Sequence, residues 1–247
     1  AAELEKEAGR FGLGKVSARQ IDAAIARSGK EGELVKRTFL DKRGAEFAGF
    51  ATAANIANEH RLLRAELEGR SAVRPMLSPT EASKAVARAA LQSSRPWNSG
   101  QREAATALLT SSNRVTALQG YAGTAKTTTV LATMAKEAAA RGHRVTPLAP
   151  TASAARTLGD ALNMKGETVA KRLLGQSRME RGGVWIVDEA SMLSARDMAA
   201  LLDQAGTANA RVVLVGDVKQ LGSVGAGAAF AQLQSAGMET AKLDEID

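Results

Sequence analysis

Four short apolar runs in the second half of the chain, separated by segments of helical character, constrain the fold most strongly. The runs cover residues 114–119, 145–149, 183–187 and 211–215, and a fifth candidate covers 239–243. Each of the first four ends in a polar or glycine-containing turn. Short apolar strands that alternate with helices are typical of a parallel sheet covered on both faces. Residues 95–247 are therefore predicted to form an α/β domain.

The first 94 residues lack this rhythm and are predicted to form a small, mainly helical domain. Ser17 and Gln20 have capping-box spacing before an apolar helical face, and Thr52 is placed to cap a second helix. Ser78-Pro79-Thr80-Glu81 is a stronger helix start, with proline at the first helical position. The polar stretch 93–100 then predicts the boundary between the two domains.

Composition narrows the class of protein. Hydrophobic residues make up 45% of the 247 residues, which is enough for a full core. The chain has no cysteine, which excludes disulfides and thiolate metal sites. A net charge of +7 favours contact with a polyanion such as nucleic acid, although solubility alone is the simpler explanation. With no membrane-length apolar run and no secretory leader, we expect a cytoplasmic location and no membrane partner.

The segment after the first apolar run has the spacing of a phosphate-binding loop. Residues 120–129 read GYAGTAKTTT, and Gly120, Lys126 and Thr127 are in register with the pattern G-x-x-x-x-G-K-[ST]. In such loops backbone N–H groups surround the phosphates, the lysine binds the β and γ phosphates, and the hydroxyl binds magnesium. Ala125 replaces the second glycine, at a cost of about 1 kcal/mol if that place requires a positive φ. The alternative is a glycine-rich strand-to-helix turn with an exposed lysine.

Two adjacent carboxylates, Asp188 and Glu189, follow the third apolar run. Burying such a pair at a strand end is costly without cationic partners, and magnesium and ordered water are natural ones. Asp188 is therefore predicted to bind Mg²⁺ together with Thr127, and Glu189 to orient or deprotonate the attacking water. The alternative is that the pair caps the following helix, where acidic residues are common.

The turns after the other two runs complete the pattern. After the fourth run, the segment GDVKQL places Gln220 where it could hydrogen-bond the γ-phosphate, with an ordinary polar turn as the alternative. After the second run, Pro150 and Thr151 begin a stretch of small and hydroxyl residues that would let phosphates approach backbone N–H groups. Ligands of open α/β sheets bind beyond the carboxyl ends of the strands, so these segments are predicted to meet in one nucleotide site.

The same segments resemble a known family. The order LQGYAGTAKTTT, APTASAARTL, TVAKRLLG, VWIVDEASM and GDVKQLGSVGAGAAF is similar to the first motor domain of RecD-like superfamily-one DNA helicases. Within that group it is most similar to the helicase part of conjugative relaxase-helicases of the TraI/TrwC type. The resemblance implies a RecA-like P-loop domain with a parallel central sheet at 95–247, the first ATP-binding domain. Residues 1–94 would then be the helical N-terminal region of the helicase unit.

The resemblance also implies roles for individual residues. Gln101 would bind the adenine of ATP, Pro150 and Thr151 match the first DNA-contacting motif, and Thr168 matches a second. The implied catalytic residues are Lys126, Glu189 and Gln220, and the implied ligands of Mg²⁺ are Thr127 and Asp188. The implied ATP-binding residues are Gln101, Gly120, Gly123, Thr124, Ala125, Lys126, Thr127 and Thr128.

An incomplete motor is a further implication. Helicases of this kind close ATP between two RecA-like domains, and arginines of the second domain raise the rate by about 10³–10⁵. The arginine-bearing fourth motif of the family would begin where residues 243–247 end this chain. The expected function is therefore the ATP-binding half of a single-stranded-DNA translocase or helicase for conjugative plasmid transfer, with little hydrolysis alone. The implied partners are single-stranded DNA, the second RecA-like domain of the same full-length protein and a type IV secretion coupling protein.

Two other classes of function stay open. A basic, helix-rich N-terminal region could act as an interaction module that holds DNA or is recognised by a secretion apparatus, with a vestigial nucleotide site. A P-loop kinase or a non-DNA ATPase fits the GDxxQL segment and the positive charge less well. Aromatic residues make up 3% of the chain, and Trp97 and Trp185 are predicted to lie in the core or near the nucleotide. DNA contact is therefore expected to depend on Lys and Arg rather than on stacking.

Overall fold

A computed structural model describes residues 18–40, 46–120, 127–175, 181–217 and 228–243. The chain divides into two compact units between His60 and Arg61. None of the helices within the described ranges is long and apolar enough to cross a membrane.

The smaller unit contains a helix and a β-hairpin. Its elements are α1 (Ala18–Lys30), β1 (Leu34–Leu40), β2 (Glu46–Thr52) and the first part of α2 (Ala53–Gly69). The two strands are antiparallel, from Leu34 opposite Thr52 to Leu40 opposite Glu46. The prediction that the N-terminal region is made of helices with short connectors is wrong for these strands. The runs LVKRTFL and EFAGFAT are rich in β-branched and aromatic residues, which favour extended chain.

Helix starts in this part of the chain follow the sequence closely. The Thr52 hydroxyl accepts the N–H of Asn55 at 3.1 Å at the start of α2. Ser78 forms a capping box with Glu81 at the start of α3 (Pro79–Gln92). The Ser78 hydroxyl donates to the Glu81 carboxylate at 2.6 Å, and this bond holds the pKa of Glu81 below its usual value. Ser17 lies outside the described residues, although a helix is present from Ala18.

The larger unit is built around a six-stranded parallel sheet. After α3 its elements are α4 (Ser99–Thr110), β3 (Val115–Gly120), a π-helical turn (Thr127–Leu131), α5 (Ala132–Ala140), β4 (Val145–Ala149), α6 (Ala152–Ala161), β5 (Glu167–Thr168), α7 (Val169–Leu173), β6 (Val184–Val187), a 3₁₀ turn (Ala190–Met192), α8 (Ala195–Thr207), β7 (Arg211–Gly216), α9 (Ala228–Ser235) and β8 (Thr240–Leu243). The strand order is β5-β4-β6-β7-β3-β8, and every pair is parallel. The five predicted strands are confirmed to within one residue, whereas the two-residue β5 was not predicted because it is too short to show a pattern.

Both faces of the sheet are buried. Ile186 of β6 belongs to one apolar cluster, whereas its neighbours Trp185 and Val187 belong to the other. The first cluster contains residues of α3, α4, α5 and α6, and the second contains residues of α8 and α9. Since successive strand residues point to opposite faces, burial on both sides produces the continuous apolar runs of the sequence.

The predicted domain boundary at residues 94/95 differs from the division in the structure. Ala82 and Val86 of α3 are buried in the same cluster as Leu118 and Ile186 of the sheet. Residues 61–94 therefore belong to the sheet-containing unit. The polar stretch 93–100 that predicted a boundary is the connection between two helices packed on one face of the sheet.

Arg211, the first residue of β7, is 5% exposed and binds three backbone carbonyl groups. Its Nη1 donates to the oxygens of Ser111 at 2.9 Å and Asn113 at 3.1 Å, and its Nη2 donates to that of Arg74 at 2.7 Å. Burial lowers the pKa of Arg211 to about 10, opposed by the nearby Glu239 carboxylate, so the guanidinium stays charged at neutral pH. This side chain fixes the segments before α3 and before β3 to the sheet.

Replacement of Arg211 by methionine should lower the free energy of unfolding by about 3 kcal/mol, because three carbonyl groups would lose a buried charged donor. Denaturant titration followed by circular dichroism measures this loss. The matched control is Arg88→Met, because the Arg88 side chain is 61% exposed and pairs with Glu137 at 3.3 Å. That control should change stability by less than about 0.5 kcal/mol. Similar small losses in both variants would contradict the structural role of Arg211.

Candidate functional site

The carboxyl ends of the strands bring predicted site residues to one edge of the sheet. Gln119 of β3 lies opposite Gly216 of β7. Gly120 is the next residue of β3, and Asp217 directly follows β7. On the other side of β7, Val187 of β6 lies opposite Leu214, and Asp188 follows. A single strand therefore separates the start of the predicted phosphate loop from the acidic pair, a spacing of about 10 Å.

Gly120 is buried at the end of β3, where it pairs with Leu243 of β8. The described chain resumes at Thr127 in a π-helical turn that leads into α5. A position between a strand and a helix is the context that a phosphate loop requires, and π-helical turns are frequent at functional sites. The predicted residues Gly123, Thr124, Ala125 and Lys126 lie outside the described part of the chain, as do the side chains of Thr127 and Thr128.

Asp188 lies directly after β6 and is half-buried. Its backbone N–H donates to the Leu148 carbonyl at 2.9 Å, and its Oδ1 accepts the N–H of Glu189 at 2.9 Å. Glu189 is exposed and has a left-handed backbone, with φ 52° and ψ 33°. A non-glycine residue in this region carries about 1 kcal/mol or more of strain, and such residues cluster at functional sites. The strained turn therefore separates the two acidic residues, one against the strand and one in solvent.

The alternative that the acidic pair caps the following helix is wrong. Glu189 makes no capping hydrogen bond to the 3₁₀ turn that follows it. The next helix, α8, is capped by Ser194, whose hydroxyl accepts the N–H of Asp197 at 3.1 Å. The two carboxylates are therefore not explained by helix capping.

Asp217 is a further acidic residue at this edge, in addition to those predicted from the sequence. It follows β7 directly and is 8% exposed. A Cβ added to the preceding Gly216 would lie 3.3 Å from the backbone nitrogen of Ser191, so the end of β7 closely approaches the turn after the acidic pair. Its position in the sequence could have identified it, because Asp217 closely follows an apolar run just as Asp188 does. Gln220, the residue selected from this segment, lies outside the described residues.

Gln101 lies in the first turn of α4 and is buried. Its Oε1 accepts the N–H of Asn98 at 3.2 Å, while its own N–H donates to Oδ1 of Asn98 at 2.9 Å. The two residues form a capping box, which the spacing Asn-x-x-Gln also indicates. A Cβ on Gly100 would lie 3.9 Å from Leu243, the partner of Gly120. The start of α4 therefore lies beside the end of β8, which pairs with β3, the strand before the predicted phosphate loop. The adenine role of Gln101 stays a prediction.

The three residues predicted to contact DNA lie together at the other end of the same edge. Thr168 of β5 pairs with Ala149 of β4, which directly precedes Pro150 and Thr151. The Thr151 hydroxyl caps α6 by accepting the N–H of Ala154 at 3.2 Å. Thr168 caps α7 in the same way, through a bond of 3.2 Å from the N–H of Lys171.

A basic cavity of about 380 Å³ opens beside Thr168, which is one of its lining residues. Its cationic residues are Arg156, Lys165 and Lys171, all exposed. The lining contains two acidic residues, Asp160 and Glu167, and Glu167 pairs with Arg172 at 3.4 Å. The positive charges of the lining therefore outnumber the negative ones. We call this the basic cavity.

A buried cation attaches α7 to the sheet. The Arg172 guanidinium lies 4.3 Å from the centroid of the Trp185 ring in β6, and both residues are buried. Cation–π contact together with the ion pair to Glu167 stabilises a desolvated arginine. Trp185 lies three residues before Asp188, so the strand that positions the acidic pair also contains the aromatic ring that contacts α7.

The described ranges contain no cluster of three or more His, Cys, Asp or Glu residues that could hold a metal ion. The predicted magnesium site requires no such cluster. Mg²⁺ at nucleotide sites is held by one or two carboxylates, substrate phosphates and water. The half-buried Asp188 fits that donor set.

Comparison with known proteins identifies a family and several relatives of this chain. The AAA domain family matches residues 96–247, which is more than half of the chain. The multifunctional conjugation protein TraI of Escherichia coli K12 is 28% identical over 240 residues, which cover 92% of this chain and 13% of TraI. A probable conjugal transfer protein TraA of Sinorhizobium fredii is 35% identical over 137 residues, 53% of this chain and 12% of TraA.

The RecBCD enzyme subunit RecD of Mycobacterium tuberculosis is 40% identical over 164 residues, which cover 54% of this chain and 28% of RecD. The chain thus spans less than a third of the length of each of these relatives. The matches confirm the resemblance to RecD-like helicases and conjugative relaxase-helicases.

Proposed function

Because this chain belongs to the AAA domain family through residues 96–247, we propose that it is the ATP-binding part of a single-stranded-DNA translocase or helicase. The observation that carries the proposal is the meeting of Gly120, Asp188 and Asp217 at one edge of the sheet, with Thr151 and Thr168 farther along it. Nucleotide and nucleic acid would then bind to opposite ends of the same edge.

The chemistry assigned to the nucleotide end is phosphoryl transfer to water. Lys126 would neutralise the β and γ phosphates, and Asp188 with Thr127 would hold Mg²⁺. Glu189, exposed beyond the strand end, would orient or deprotonate the attacking water, and Gln220 would hydrogen-bond the γ-phosphate. Bound Mg²⁺ supplies charge neutralisation for the transferring group.

Hydrolysis by the isolated chain should be slow. The proposed partner is a second RecA-like domain of the same full-length protein, whose arginines would add about 10³–10⁵ in rate. A type IV secretion coupling protein is a further predicted partner, in keeping with the conjugation proteins among the relatives.

If the chain is part of a motor, an ATP analogue should change its affinity for single-stranded DNA, and the DNA should change its affinity for the analogue. DNA binding that is insensitive to nucleotide, without measurable ATP binding, would favour an interaction module.

DNA affinity should fall steeply with salt, because the proposed contacts are made by cations and backbone groups. For single strands the logarithm of affinity falls by about 0.7 per contacted phosphate for each unit of log salt. Lys171→Gln should lower this slope by about 0.7, measured by fluorescence anisotropy at several salt concentrations. Lys84→Gln, on α3 and outside the basic cavity, should leave the slope unchanged. A flat salt dependence of the unmodified chain would contradict DNA binding by the basic cavity.

A further inference from the structure

A second cavity, of about 390 Å³, lies on the other side of α7. Its apolar lining consists of Pro150, Val169, Ala170, Leu173, Leu174, Met192 and Leu193. Leu174 and Met192 are 71% and 54% exposed, so two of the lining residues have large apolar groups in contact with water. We call this the apolar cavity. Exposed apolar groups grouped around a concavity are typical of a binding site.

Helix α7 divides the apolar cavity from the basic cavity. Thr168 and Lys171, three residues apart, line the basic cavity, whereas Val169, Ala170 and Leu173 line the apolar one. Residues three apart share a helix face, so one short helix presents a cationic side and an apolar side. Both cavities begin at the strand ends that carry the predicted DNA contacts, since Pro150 lines one and Thr168 the other.

A ligand that matches both cavities must carry anionic groups along one side and flat apolar groups along the other. Single-stranded nucleic acid has this chemistry, whereas duplex DNA keeps its bases stacked inside the helix. Base stacking on an aromatic side chain is the common solution, but Trp97 and Trp185 are 7% and 1% exposed and belong to the core. The apolar cavity provides an aliphatic and thioether surface that could take this role, because the polarisable sulfur of methionine makes favourable contacts with rings.

The geometry points to the apolar cavity as a subsite for a base of single-stranded DNA, whose phosphates lie in the basic cavity. Leu174 and Met192 would contact the faces of the base, and Pro150 would contact its sugar or edge. The polar residues Ser194, Arg196 and Asp197 in the cavity lining could contact the polar edge of the base. This inference rests on the proposed function, because it names how the DNA is held at the site described above.

The test compares an intact oligothymidylate with strands that carry one abasic site at successive positions, by fluorescence anisotropy on this chain. At one position the abasic site should lower the affinity of the unmodified protein about tenfold. The double variant Leu174→Ser with Met192→Ser should bind the intact strand about tenfold more weakly than the unmodified protein does. It should bind that abasic strand with the same affinity as the unmodified protein, because the contact is already absent. Both side chains are mostly exposed, so the fold should survive, which thermal unfolding checks.

Two matched variants separate this subsite from general effects. Leu91→Ser, at a side chain that is 87% exposed on α3, should bind both strands as the unmodified protein does. Lys171→Gln should weaken both strands by the same factor, because it removes a phosphate contact. Equal affinity for the intact and every abasic strand would overturn the inference, as would equal losses on both strands in the Leu174 and Met192 variant. Failure of every strand to bind would instead reject the proposed function.

Discussion

The Lys126→Ala variant is expected to bind ATP at least about 100-fold more weakly than the unmodified chain. Hydrogen bonds to charged groups are worth about 1.5–3 kcal/mol each, and the lysine of a phosphate loop contacts two phosphates. Loss of about 3 kcal/mol corresponds to a factor of about 100. Isothermal titration calorimetry with a non-hydrolysable ATP analogue and Mg²⁺ measures the change.

The matched control for this prediction is Lys136→Ala. Lys136 lies on α5, the helix that follows the predicted phosphate loop, and its side chain is hydrogen-bonded to Gln92 at 3.4 Å. The Lys136→Ala variant should bind ATP as the unmodified chain does, because Lys136 is not part of the predicted loop. Tight ATP binding by Lys126→Ala would refute the phosphate-loop assignment.

The Asp188→Asn variant should still bind ATP, but its affinity should lose most of its dependence on Mg²⁺, since an amide replaces the carboxylate ligand.

Gly166→Ala should cause the largest loss of stability, about 4 kcal/mol, and should weaken DNA binding. A Cβ at Gly166 would overlap the carbonyl group of Ala155 in α6. A Cβ at Gly159 of the same helix would lie 2.6 Å from the nitrogen of Gly166, so two backbones are in direct contact here. Since backbone atoms cannot move as the end of a side chain can, the segment before β5 must shift and carry Thr168 with it. Denaturant titration and DNA anisotropy measure the two effects.

The control for this prediction is another glycine-to-alanine change. Gly206 lies in α8, and a Cβ there would meet nothing within 4 Å. Gly206→Ala should therefore be neutral or should stabilise the protein by up to about 1 kcal/mol, and should leave DNA affinity unchanged. If both variants had the same stability, the close backbone contact at Gly166 would not be a determinant of the fold.

Local sequence patterns predicted those elements whose physical cause is local. The capping box at Ser78 depends on spacing over a few residues, and the strands of the central sheet depend on runs of apolar residues. The same patterns failed where the pairing partner decides the outcome. The hairpin of β1 and β2 lies between two predicted helices, in a region predicted to contain only a short connector, and β5 consists of two residues held beside β4. Composition of a single strand does not reveal such partners.

The sequence by itself determined the kinds of chemical group in the candidate site and their order along the chain: the phosphate-loop pattern, the acidic pair and the hydroxyl residues that end strands. Only the tertiary structure decided which of these groups are neighbours. The order β5-β4-β6-β7-β3-β8 places β7 between the loop strand and the acidic strand, and it brings Thr168 next to Pro150. Strand order depends on how the connecting helices pack on both faces of the sheet, which involves contacts throughout the unit. For the same reason the buried contacts of Arg211 and the two cavities beside α7 are visible only in the assembled structure.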